Sequence, residues 1–178
     1  MQEPASSFRE ELSHILDRRG PIAPRSLSYL VDLMTNSITS EAVWAAGEKT
    51  YLVDLYLEAK GAPGRIERMQ RLRQLGDYSL FISGYFPDSI NNHSYYTDMG
   101  SAAYYQVAKL GKRPMPYVEL ATRYQDCVSA LTHLSLVNKL YKFEEVGSMY
   151  QIYTDTKSPT LKRKLYRLGV VNLEGAIG

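Results

Sequence analysis

Apolar residues recur at intervals of three and four along almost the whole chain, the period of an amphipathic helix. Phe8, Leu12, Ile15 and Leu16 mark a first helix, with Ser6 and Ser7 as caps and Gly20-Pro21 beyond its end. Leu27, Leu30, Val31, Met34 and Ile38 mark a second, capped near Ser26, and Ser40 opens a short turn through Trp44. A third carries Tyr51, Leu52, Leu55, Tyr56 and Ala59 and stops at Gly61-Ala62-Pro63-Gly64. The fourth pattern is the longest: Ile66, Met69, Leu72, Leu75, Ser79, Ile82 and Phe86, ended by Pro87. A polar connector, Asp88 to His93, leads to a fifth helix from about Ser94 to Leu110, closed by Gly111. The sixth begins at Pro116, and its seam of Tyr117, Leu120, Tyr124, Cys127, Leu131 and Leu134 predicts one helix packed lengthwise on a neighbour. Two shorter helices follow, one over Glu144 to Asp155 and one opened by Ser158-Pro159 and closed by Gly169. Val170 to Leu173 has extended character but no second strand to pair with. The pattern predicts an all-α fold: a single helical domain over residues 1–178, a bundle of six to eight helices.

A chain of 178 residues, 44% hydrophobic and 22% charged, has the balance of a globular protein and the length to bury a core. Lys plus Arg number 21 against 19 Asp plus Glu, a net charge of +2, so any polyanion partner must rest on a local patch. The single cysteine, Cys127, excludes an internal disulfide and a Cys-based zinc cluster. Met1 to Arg9 lacks the basic and apolar regions of a signal peptide, and no apolar run reaches membrane-spanning length. The expected setting is the cytoplasm, with no membrane partner. The unusual number is 15 tyrosines, against 4 Phe and 1 Trp. A tyrosine buries a ring but needs a partner for its hydroxyl, which points to a polar-tipped core boundary or an aromatic surface.

Residues Leu72 to Tyr105 differ in composition from the rest. Gly76 and Gly84 lie inside the fourth helix, each disfavoured by about 1 kcal/mol against Ala. Gly76, Ser79 and Ser83 share one face, and Gly100, Ser101, Ala102 and Ala103 follow on the next helix. Small residues on both elements predict a close helix crossing. The alternative is room for a ligand or partner, with Asp77, Tyr78, Ser83, Tyr95, Tyr96, Asp98 and Tyr104 as polar tips and aromatic walls. Asp77 also stands four residues after Arg73, the spacing of an ordinary helical ion pair. Tyr96 and Tyr104 share a face while Tyr95 and Tyr105 point elsewhere, so at least one tyrosine is expected near the surface, where it would suit an interface. The runs Leu75-Gly76-Asp77-Tyr78-Ser79-Leu80-Phe81-Ile82-Ser83-Gly84-Tyr85-Phe86 and Tyr95-Tyr96-Thr97-Asp98-Met99-Gly100-Ser101-Ala102-Ala103-Tyr104 resemble those of a family of uncharacterised bacterial helical proteins. Leu165 to Val171 is similar too. The resemblance covers the middle third best and implies a bacterial origin without any activity.

Glu11 and His14 form one Glu-x-x-His, but a di-iron bundle needs two, so they read as a chance surface pair. His14 as a haem ligand is likewise outweighed by a solvent-facing histidine. Cys127 falls on the apolar seam, where a buried thiol is ordinary. No Gly-x-Ser-x-Gly, P-loop or Gly-x-Gly-x-x-Gly occurs, and nothing in the sequence supports Asp77 and Asp98 as paired carboxylates. No catalytic residue, metal or cofactor is therefore assigned. Two basic stretches stand out: Arg65, Arg68, Arg71 and Arg73 around Glu67, and Lys157, Lys162, Arg163, Lys164 and Arg167 near the C-terminus. The second is a candidate phosphate-contacting helix. The function expected is a non-enzymatic binding or regulatory module, acting on a protein partner, a second copy or a small ligand through residues 76–105. The alternatives are a nucleic-acid-associated regulator using Lys162, Arg163, Lys164 and Arg167, and an enzyme with a pocket in the bundle.

Overall fold

The computed structural model describes residues 4–39, 51–143, 146–170 and 173. Their helices are α1 (Pro4–Asp17), α2 (Pro24–Thr39), α3 (Leu52–Gly61), α4 (Arg65–Tyr85), α5 (His93–Leu110), α6 (Tyr117–Thr122), α7 (Tyr124–Phe143), α8 (Val146–Thr156) and α9 (Pro159–Arg167), with a 3₁₀ turn at Pro87–Ser89. Among the described residues there is no strand. The turn expected at Ser40 to Trp44, and residues 171–172 of the stretch given extended character, lie outside them.

Local chemistry explains most boundaries. α1 starts at Pro4, ahead of the serines expected to cap it, because proline is tolerated in a first turn where its missing N–H has no partner anyway. The Asn92 side chain accepts from the Tyr95 N–H at 3.1 Å and caps α5. Ser158 does the same for α9, accepting from the Leu161 N–H at 3.2 Å with Pro159 first in the helix. The expected unbroken sixth helix is instead two. Arg123 leaves the helical region at φ −107° and ψ 25°, ending α6 one residue before α7 begins. The break sets Arg123 against the α1–α2 corner, where its guanidinium donates to the Pro21 carbonyl at 2.9 Å and pairs with Asp126 at 3.2 Å. The apolar seam survives, for Leu120, Tyr124, Cys127, Leu131 and Leu134 are all buried.

The main core joins Leu12 and Leu16 of α1, Leu30 and Met34 of α2, Leu80 and Phe81 of α4, Tyr104 of α5 and the α6–α7 seam. α3 packs Leu52 and Leu55 onto Leu75 of α4 and Ala103 of α5. A separate C-terminal cluster unites Val137, Leu140, Met149, Tyr153, Leu161 and Leu165. Each such aliphatic side chain removed from water contributes about 2 kcal/mol.

The small residues of α4 and α5 let protein side chains, rather than a ligand, fill the crossing. A Cβ at position 76 would lie 2.7 Å from the Tyr104 ring, and one at position 84 would lie 2.6 Å from the Leu131 Cβ. One at position 100 would fall on the Tyr124 hydroxyl. Burial of Tyr104, Leu131 and Tyr124 offsets the low helix propensity of the three glycines.

Glu11 departs from expectation. It is 1% exposed, and its partner is not His14. One carboxylate oxygen accepts from the Ser158 hydroxyl at 2.7 Å and the Thr160 N–H at 2.6 Å, and the other lies 3.2 Å from His133 Nε2. His14 reaches the Thr156 carbonyl at 2.8 Å. A carboxylate at a helix N-terminus is favoured by the unpaired N–H groups there. Burial pushes the Glu11 carboxyl up, but bonds from His133, Ser158 and Thr160 outweigh it and hold it below its ordinary value.

Candidate functional site

One stripe of α2 and one of α4 face each other across an open cleft. Tyr29, Asp32, Leu33, Asn36 and Ser37 recur at helical spacing on α2, and Gln70, Arg73, Gln74, Asp77, Tyr78 and Phe81 do so on α4. The space between them is about 760 Å³. Leu33 and the rings of Tyr29 and Tyr78 give it apolar surface, and Asp32, Asn36, Gln70, Arg73, Gln74 and Asp77 line it with amide and charged groups.

Asp77 is the most heavily bonded side chain lining this cleft. Its Oδ1 accepts from the Tyr29 hydroxyl at 2.5 Å and from the Tyr104 hydroxyl at 2.8 Å. Its Oδ2 pairs with Arg73, one turn back on α4, at 3.6 Å from Nε, longer than a direct hydrogen bond. The Asp77 side chain keeps 22% of its exposure. Burial raises the carboxyl above its ordinary value, although the two hydroxyls and the Arg73 charge pull the other way. Burial, together with the Asp77 charge, pushes the Tyr29 and Tyr104 phenols far above the usual 10. Both stay protonated and act as fixed donors. Tyr29, Tyr104 and Tyr117 brace one another, with ring centroids 5.5 to 6.2 Å apart.

The structure joins some of the sequence candidates and separates others. Asp77 and Tyr104 meet directly, and Tyr78 lines the same cleft. Ser83 is buried in α4 and donates to the Ser79 carbonyl at 2.7 Å. Tyr96 packs with Tyr78 and Met99 against the α3 contacts Leu52 and Leu55. Tyr95 and Tyr105 are exposed on α5, the latter under the Lys109 ammonium at 4.5 Å. Asp98 is exposed and lines no part of the cleft; the second carboxylate there is Asp32. At the C-terminus Arg163 donates to both oxygens of Glu10, at 2.8 and 2.7 Å, which ties α9 to α1. Lys162 and Lys164 are half-buried and Arg167 is exposed.

Sequence reasoning missed the whole α2 wall. The signal was present as Tyr29, Asp32, Asn36 and Ser37 on the flank of an otherwise apolar helix. Cys127 offers no chemistry, because burial pushes its thiol up to about 12. Among the described residues no group of three or more His, Cys, Asp or Glu side chains is placed to hold a metal ion. No helix there is long and apolar enough to cross a membrane. The chain matches no family model, no curated protein and no solved structure.

Proposed function

We propose that this protein is a non-enzymatic binding module whose α2–α4 cleft takes a small polar ligand. The observation that supports the reading is the Asp77 carboxylate at the cleft, fixed through Oδ1 by two tyrosine hydroxyls while Oδ2 has only the longer 3.6 Å pairing with Arg73. A partly buried carboxylate held by two hydroxyls and a loosely paired arginine at a cleft is an arrangement that suits a polar ligand. Oδ2 would receive an ammonium or hydroxyl donor, and Arg73 a carboxylate or similar acceptor on the same molecule. The class these two groups recognise together is the small zwitterion or hydroxy acid. The cleft's size falls within the range of about 300–1,000 Å³ common to small-molecule sites.

Thermal denaturation in the presence of single amino acids and short hydroxy acids tests the reading. A compound at one hundred times its Kd adds about 2.7 kcal/mol, a rise of several degrees for a chain of this size. That rise is expected for the wild type, to disappear in Asp77→Asn and to shrink in Arg73→Ala. If no member of the panel raises the melting temperature, or Asp77→Asn keeps the full rise, the cleft is not this receptor.

A further inference from the structure

Across Gln70 and Gln74 from the cleft lies a second and larger depression. The first half of α4 and the end of α5 enclose it, with a volume of about 1,190 Å³. Half-buried Met69 and Leu110 line it over the buried Val107, and Ile66, also lining it, is 71% exposed. Its rim carries Arg65, Arg71, Lys112 and Arg113 against one acid, Glu67. Two of these cations are engaged locally. Arg65 donates to the Leu110 carbonyl, and Arg71 pairs with Glu58 at 3.1 Å. Lys112 and Arg113 have no acidic partner among the described residues.

We propose that this groove docks an acidic amphipathic helix from a partner protein. Arg65 to Gln74 lines it along α4 for about 14 Å, some two and a half helical turns, enough for anchors at i, i+3/i+4 and i+7 of a helix laid in the groove. Apolar anchors would cover Ile66, Met69 and Leu110, and flanking carboxylates would meet Lys112 and Arg113. Met69 gives the groove a side chain that adapts to differing anchors. The opening exceeds the roughly 300–1,000 Å³ of sites for small molecules, which favours a segment of protein. The only strongly exposed apolar side chain lining the groove is Ile66, too little apolar surface for insertion into a bilayer. The groove shares Gln70 and Gln74 with the Asp77 cleft, but none of its charged rim residues lines that cleft.

The test is fluorescence anisotropy of the full chain with three labelled 18-residue helices that share one leucine face. Their polar faces are rich in Glu, Gln or Lys respectively. The Glu helix is expected to bind in the micromolar range, the Gln helix more weakly and the Lys helix at least ten-fold more weakly than the first. Lys112→Glu with Arg113→Glu, two exposed residues outside any helix, should weaken the Glu helix about ten-fold and reverse the order of the peptides. Ile66→Asp, also exposed, should weaken all three. Equal binding of the three helices, no binding of the Glu helix, or indifference to the charge reversal would overturn the proposal. So would capture by phosphatidylglycerol vesicles that is lost with the same two substitutions while the Glu helix stays unbound.

Discussion

Neutralising Asp77 separates a carboxylate kept for the fold from one kept for a ligand. In Asp77→Asn the amide oxygen can still accept from Tyr29 and Tyr104, while the burial penalty on the charge disappears. The variant is therefore expected to be no less stable at pH 7, and up to about 1 kcal/mol more stable, by urea denaturation. A carboxylate needed for the fold would instead lose about 2 kcal/mol or more on this scale, roughly the effect of breaking a buried charged bond. The pH dependence has a definite sign. Asp77 is raised above 3.8 in the folded state, so its contribution is most favourable below that value and is lost as pH rises through the folded pKa. The advantage of Asp77→Asn should thus be largest at neutral pH and fade on acidification into the carboxylate range. Asp77 was legible in the sequence as a carboxylate among small and aromatic residues. Tyr29 was not, because its hydroxyl meets Asp77 from 48 residues away and local spacing carries no trace of that pairing.

At the scale of the element, the glycines of α4 and α5 carry opposite expectations from a glycine in α8. Replacing a solvent-facing helical glycine by alanine ordinarily stabilises by about 1 kcal/mol. At Gly147 nothing lies within 4 Å of the place a methyl would take, and Gly147→Ala should show a gain of that sign. Gly84→Ala drives a methyl into the Leu131 Cβ, and Gly100→Ala drives one into the Tyr124 hydroxyl. Each should destabilise by about 1–3 kcal/mol in thermal or urea unfolding, the usual range for overpacking. Stabilisation at position 84 or 100 would mean that the helices can part without loss. The helical period and the small-residue face were legible because both are local properties of one helix. What fills the gaps was not, since Tyr104, Tyr124 and Leu131 come from other helices. The break at Arg123 was hidden for a related reason: the seam residues stay buried on both sides of it, so the apolar pattern runs straight through.

At the scale of the whole molecule, the C-terminal helices are held to the bundle by a small number of polar ties. Their own cluster of Met149, Tyr153, Leu161 and Leu165 meets α7 at Val137 and Leu140, and the link to α1 is largely polar. That link is Glu11 with Ser158 and Thr160, His14 and Arg18 with the Thr156 carbonyl, and Glu10 with Arg163. Glu11 is the buried member, and its partners His133 and Ser158 lie 122 and 147 residues away, which is why a Glu-x-x-His spacing misread it. Its carboxyl is held below 4.5 in the folded state, so its contribution is complete above that pH and is lost as pH falls through the folded pKa. This is the reverse of Asp77. Hydrogen exchange, corrected for intrinsic rates, should therefore show α8 and α9 losing protection on acidification before α4 and α7 do. Glu11→Gln should bring that selective opening to neutral pH, at about 2 kcal/mol, because the buried hydrogen bonds from the Ser158 hydroxyl and the Thr160 N–H lose their charged acceptor. Simultaneous loss of protection in α4 and α9 would mean that the Glu11 tie is no weaker a point than the core, and that the bundle and its C-terminal helices open as one unit.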